Sequence, residues 1–123
     1  METHNPANQN QINNLQNKLH LFIPKVYKDF LLRTNGAEFD MGVLYDTDSI
    51  AEMYEALGFS DYAPEYISIG NDNGDYELVM RADEDAKSFG LLEQGSIGIL
   101  EPQKIHDFNA WLKNGCPFDF FNE

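Results

Sequence analysis

The sequence predicts an α+β domain, a small and mainly antiparallel sheet with helices packed against it, on three observations. Two short apolar runs, Tyr66–Ile69 and Tyr76–Met80, flank the turn Gly70-Asn71-Asp72-Asn73-Gly74-Asp75 and read as a hairpin. Apolar residues recur at helical spacing elsewhere, in segments bounded by Pro, Asn and Gly. The resulting order α, α, β, α, β, β, β, α brings the last strands close in sequence, which favours antiparallel pairing.

Residues 1–11 are polar and are expected to form a loose tail ahead of a single domain over 12–123. Ile12, Leu15 and Leu19 then mark a short amphipathic helix. Pro24 opens a second helix with the stripe Val26, Tyr27, Phe30 and Leu31, and Asn35-Gly36 tolerates the left-handed backbone at its end. Phe39–Tyr45 reads as a strand. Ser49 to Glu52 has capping-box spacing for a third helix that carries Ile50, Met53, Tyr54 and Leu57 and stops at Gly58. Residues Phe59–Pro64 connect it to the hairpin, and Asp83-Glu84-Asp85 begins an acidic connection out of it. The apolar run Ser96–Leu100 predicts one more strand, and Pro102 the start of a last helix bearing Ile105, Phe108, Trp111 and Leu112.

Composition narrows the function classes. Eight Lys and Arg face 21 Asp and Glu, for a net charge of −13, so nucleic acid and anionic membrane surfaces are repelled and a charge-steered partner is basic. The same acidity also serves solubility. A 42% hydrophobic content supports a folded core, and no apolar stretch approaches the ~20 residues that span a bilayer. Met1–Asn14 lacks the basic flank and apolar stretch of a signal peptide. With Cys116 as the single cysteine, a cytoplasmic location is expected.

Catalytic groups are sparse. His4, His20 and His106 show no metal-ligand spacing, and Cys116 has no evident base partner. The turn fails as a calcium loop: with Gly74 in the sixth position, Ile69 and Met80 occupy places that require carboxylates. A dinucleotide fingerprint needs a helix after its glycines, and here a strand follows. Gly70 and Gly74 are therefore read as structural turn residues, with no catalytic residue, metal or cofactor expected.

Three stretches together resemble the SUKH superfamily, the group of Smi/Knr-type cell-wall regulators and bacterial toxin-immunity proteins. Residues Ile23–Gly36 are similar to its opening helix, Pro64–Asp75 to its central strand and turn, and Ile105–Leu112 to its closing helix. The turn has fewer glycines than many relatives, and Glu101-Pro102 replaces a more usual acidic or aromatic run.

The resemblance implies a non-catalytic binding domain, commonly an immunity protein that blocks a nuclease-type toxin. The expected contacts are the acidic residues Asp72, Asp75, Glu77, Asp83, Glu84 and Asp85, with Tyr62 and Tyr76 as aromatic anchors. A cytosolic adaptor module and, less favoured, a small-substrate enzyme are the alternatives. The expected partner is a basic toxin domain, and the protein itself is expected to be a monomer or weak homodimer. Phe118-Asp119-Phe120-Phe121 is read as a strip that seals the core rather than a dimerisation patch.

Overall fold

The computed structural model describes residues 1–121. Strands β1 (Glu2–Thr3), β2 (Ala37–Phe39), β3 (Gly42–Leu44), β4 (Tyr66–Asn71), β5 (Tyr76–Arg81), β6 (Ser88–Glu93) and β7 (Gln103–Asp107) form one sheet in chain order. Every neighbouring pair is antiparallel. Five helices accompany it: α1 (Gln9–Leu19), α2 (Lys25–Leu31), α3 (Thr47–Ala56), the short α4 (Phe59–Tyr62) and α5 (Phe108–Lys113). The fold is α+β, as the sequence predicts.

Short polar side chains set the helix starts. Asn8 Oδ1 accepts from the Gln11 amide at 2.8 Å while Gln11 Oε1 accepts from the Asn8 amide at 2.9 Å, a reciprocal cap for α1. Asp46, three residues before the expected Ser49, caps α3 by accepting from the Ser49 amide at 2.7 Å. Gly58, at φ +88°, ends α3 in the left-handed region that disfavours a side chain.

Paired residues define the two faces of the sheet. Ile67 and Met80 share one face, as do Leu78 and Leu91, and Phe89 lies on that side by alternation. There Phe89 meets Phe108 and Trp111 of α5, and Phe108 meets Tyr27 and Phe30 of α2. Fully burying such side chains stabilises the fold by roughly 1.5–3 kcal/mol each. The opposite face carries the pairs Ser68 with Val79, Val79 with Gly90, and Glu77 with Leu92. A connection over residues 94–102 arches across this face. Gly90 makes room for it, since a Cβ there would lie 2.6 Å from Pro102 Cβ and 2.7 Å from Ile105 Cδ1.

Three sequence expectations are corrected. Residues 1–11 are not a loose tail: Glu2 and Thr3 pair with β2, the His4 amide donates to Thr34 Oγ1 at 2.8 Å, and Ala7 is buried. Backbone pairing does not depend on side-chain polarity, so composition alone missed it. Ser96–Leu100 is not a strand. A 3-10 turn at Gln94–Ser96 leads into a loop in which Ser96 O accepts from the amides of Ile99 and Leu100, with Gly98 at φ +81°. The strand beside β5 is instead Ser88–Glu93. Finally, Ile105 and His106 belong to β7, and α5 begins only at Phe108, where Asp107 Oδ2 caps the Ala110 amide at 2.9 Å.

The anchored N-terminus carries a titratable contact. His4 Nδ1 lies 2.7 Å from Asn35 O and Nε2 3.2 Å from Glu38 Oε1, so only the protonated ring donates to both. The Asn35 carbonyl foremost, then Glu38, raises the His4 pKa above its usual value, against an opposing effect of burial. The resulting stabilisation is present in full below the unfolded histidine pKa of about 6.5 and is lost as pH rises through the higher native value. Melting curves from pH 5 to 8 should show a small decline that His4→Ala removes; an equal slope in both proteins would rule out this contact as its cause.

Candidate functional site

The β4–β5 turn is held by its own side chains. Asp72 Oδ1 accepts from the amides of Gly74 at 2.9 Å and Tyr76 at 3.3 Å, and Asn71 Oδ1 accepts from the Asn73 amide at 2.8 Å. Asn73, at φ +61°, takes the left-handed position, which is not at Gly74. Gly70 is required for another reason: a Cβ there would lie 2.2 Å from Val43 O on the neighbouring strand. Of the expected structural pair, Gly70 carries the packing constraint and Gly74 only the turn.

Glu77 is corrected from a surface contact to a core residue. It is 0% exposed, on the face beneath the arch. Its Oε1 accepts from Tyr45 Oη at 2.6 Å and lies 2.8 Å from Ser68 Oγ, and its Oε2 accepts from Gln94 Nε2 at 2.9 Å. Asn71 Nδ2 in turn donates to Tyr45 Oη at 2.9 Å. Burial and the adjacent Glu77 carboxylate push the Tyr45 hydroxyl well above its ordinary pKa, so it remains a donor. The network links β4, β5 and the start of the arch.

The remaining candidates do not form one cluster. Asp72 and Asp75 sit at one end of β5 and Asp83, Glu84 and Asp85 beyond the other, roughly 17 Å apart by strand rise. Asp75 is exposed, whereas Asp72 is half-buried in the turn. Asp83 and Asp85 are exposed, and Glu84 lies 3.3 Å from Lys28 Nζ. Tyr76 is half-buried with its ring 4.7 Å from that of Phe121. Tyr62 is 71% exposed, beside the arch.

The arch was not legible as a surface from the sequence. Ile97 is buried beneath it while Ile99 and Leu100 face solvent, and Tyr66 Oη donates to Glu101 Oε2 at 2.8 Å. Tyr62, Tyr66, Leu92 and residues 98–101 border a hollow of about 100 Å³. Ile105, 62% exposed, stands next to Pro102 at the arch's far side.

At the C-terminal end, Phe120 is buried against Phe89 and Trp111, and Phe118 packs on Trp111 and Phe39. These rings seal the core, with Phe121 left half-exposed. Cys116 is buried, and burial pushes its thiol up to about 11, which leaves it protonated and a poor nucleophile near neutral pH. Among the described residues, no group of three or more His, Cys, Asp or Glu is placed to hold a metal ion, and no helix is long and apolar enough to cross a membrane.

The sequence that builds these elements has a counterpart among known families. Residues 6–113 match the model of the SMI1 / KNR4 family (SUKH-1). The chain belongs to this family. Its SUKH domain thus takes in the second helix, the hairpin, the arch and α5, and the family includes immunity proteins. A search of curated proteins gives no match.

Proposed function

We propose that this SUKH domain is a non-catalytic immunity protein that binds and neutralises a basic, nuclease-type toxin domain in the cytoplasm. The observation that carries the reading is a net charge of −13 on a domain of this family. A nuclease presents a basic groove to its phosphate substrate, and an acidic protein of complementary potential is steered into that groove and excludes the nucleic acid. Asp75, Asp83, Glu84 and Asp85 contribute to the steering field from the surface, and Tyr62 and Tyr76 offer aromatic contacts. Binding without catalysis suits an inert Cys116 and carboxylates such as Glu77 that are tied into core hydrogen bonds.

The test is neutralisation. The neighbouring gene is expected to encode the toxin, whose toxin domain is assayed on its nucleic acid with equimolar SUKH protein. Loss of cleavage is expected, and full cleavage would overturn the reading. A regulatory adaptor would instead bind a protein encoded elsewhere and leave cleavage untouched.

A further inference from the structure

We propose that the outer surface of the 94–102 arch, flanked by Tyr62 and Ile105, is where this SUKH domain docks its protein partner, and that the partner presents an apolar contact ringed by Lys and Arg. The inference rests on the protein-binding reading above and assigns it a surface. Four of the nine large apolar side chains exposed among the described residues lie on or beside this arch: Tyr62 at 71%, Ile99 at 76% and Leu100 at 58% around the hollow, and Ile105 at 62% on the far side by Pro102. Such a gathering on a charged protein marks an interaction site more than isolated apolar residues do.

The arch is built to display them. Ser96 O accepts from the Ile99 and Leu100 amides at 2.9 and 3.0 Å, which fixes the tip. Gly98 is seated so closely that a Cβ would lie 2.6 Å from Tyr62 Cβ, and Gln94 is tied to buried Glu77 beneath. Contacts held rigid before binding lose little conformational entropy on complex formation. The hollow of about 100 Å³ is well below the ~300 Å³ at which small-molecule sites begin, and suits a single inserted side chain.

Charge selects the occupant. Exposed Glu65 and Glu101 line the hollow and exposed Asp61 precedes Tyr62, while the cations alongside are Arg81, whose guanidinium lies 5.4 Å from the Tyr66 ring centre, and Lys104, next to Ile105. A second copy would bring like rims together at a net charge of −13 each, whereas a basic partner is attracted. An apolar centre inside a charged rim is the usual anatomy of a protein interface.

The test uses the full chain and two short synthetic peptides of equal charge, one alternating Leu and Lys, the other Ser and Lys, followed by amide NMR shifts. The Leu–Lys peptide should shift Tyr62, residues 97–101 and Ile105, the Ser–Lys peptide should bind far more weakly, and Ile99→Ser with Leu100→Ser should weaken Leu–Lys binding at least about tenfold. Both residues are exposed, so an unchanged melting temperature certifies the variant's fold. Asp29→Asn, on α2 across the sheet from the arch, should leave peptide affinity within about twofold. Shifts confined to the 72–76 turn, equal binding of both peptides, or a dimer that the double variant abolishes would overturn the surface. Neutralisation separates the two readings. If the double variant still neutralises fully, the surface falls and the immunity reading stands. If the wild type fails to neutralise while the Leu–Lys footprint holds, the immunity reading falls and the surface stands.

Discussion

Replacing Gly70 with alanine is expected to destabilise the domain by about 3 kcal/mol or more, a fall in Tm on the order of 10 °C. The added Cβ would lie 2.2 Å from Val43 O and 3.2 Å from Leu44 Cα, both backbone atoms that cannot rotate away. Relief requires β3 to move off β4, which breaks the pairing of Leu44 with Gly70 and Val43 with Asn71. Gly74→Ala is the control. Its Cβ would meet only the flexible Asp72 carboxylate, at 3.2 Å, on an exposed turn, and the change should stay within about 0.5 kcal/mol. Thermal melts of the two variants side by side decide the matter; equal losses would contradict the packing assigned to Gly70.

Glu77→Ala is expected to cost about 3 kcal/mol or more by urea denaturation, through a cavity and the loss of acceptors for Tyr45 Oη and Gln94 Nε2. Glu77→Gln retains an acceptor oxygen and the volume, and should cost about 1 kcal/mol. Because Gln94 begins the arch, the alanine variant should also speed amide exchange across residues 94–101 more than in β4. A surface carboxylate would give less than about 0.5 kcal/mol for either change, and that result would remove Glu77 from the core network.

Much of this fold is written locally. The hairpin alternation, Pro24, and the glycines at 36, 58 and 115 each act within a few residues, and all were readable in order. The errors fall where long-range contact overrides local pattern. Ser96-Ile97-Gly98-Ile99-Leu100 is apolar enough for a strand, but Gly98 turns the chain and buries Ile97 alone. Ser-Phe-Gly-Leu-Leu-Glu lacks β-branched residues and contains Gly90, yet it forms β6 because the β5 edge pairs with it and the arch needs the missing side chain. Glu77 reads as a surface carboxylate from charge alone, but alternation puts it on the same face as Val79, and an apolar partner there signals a covered face. The candidate surface is only half legible: Tyr62 reads as an aromatic anchor, whereas the apolar spacing of Ile99, Leu100 and Ile105 points to core elements.

Capture of a basic toxin domain by this acidic SUKH domain proceeds, on the proposed function, by electrostatic steering followed by docking. Its most direct test is the association rate of the two purified proteins at rising ionic strength. Association is expected to be fast and to fall at least about tenfold between low salt and 0.5 M, in parallel with loss of neutralisation at fixed contact time. An association rate that does not change with salt, or a toxin domain that is not bound at all, would contradict it.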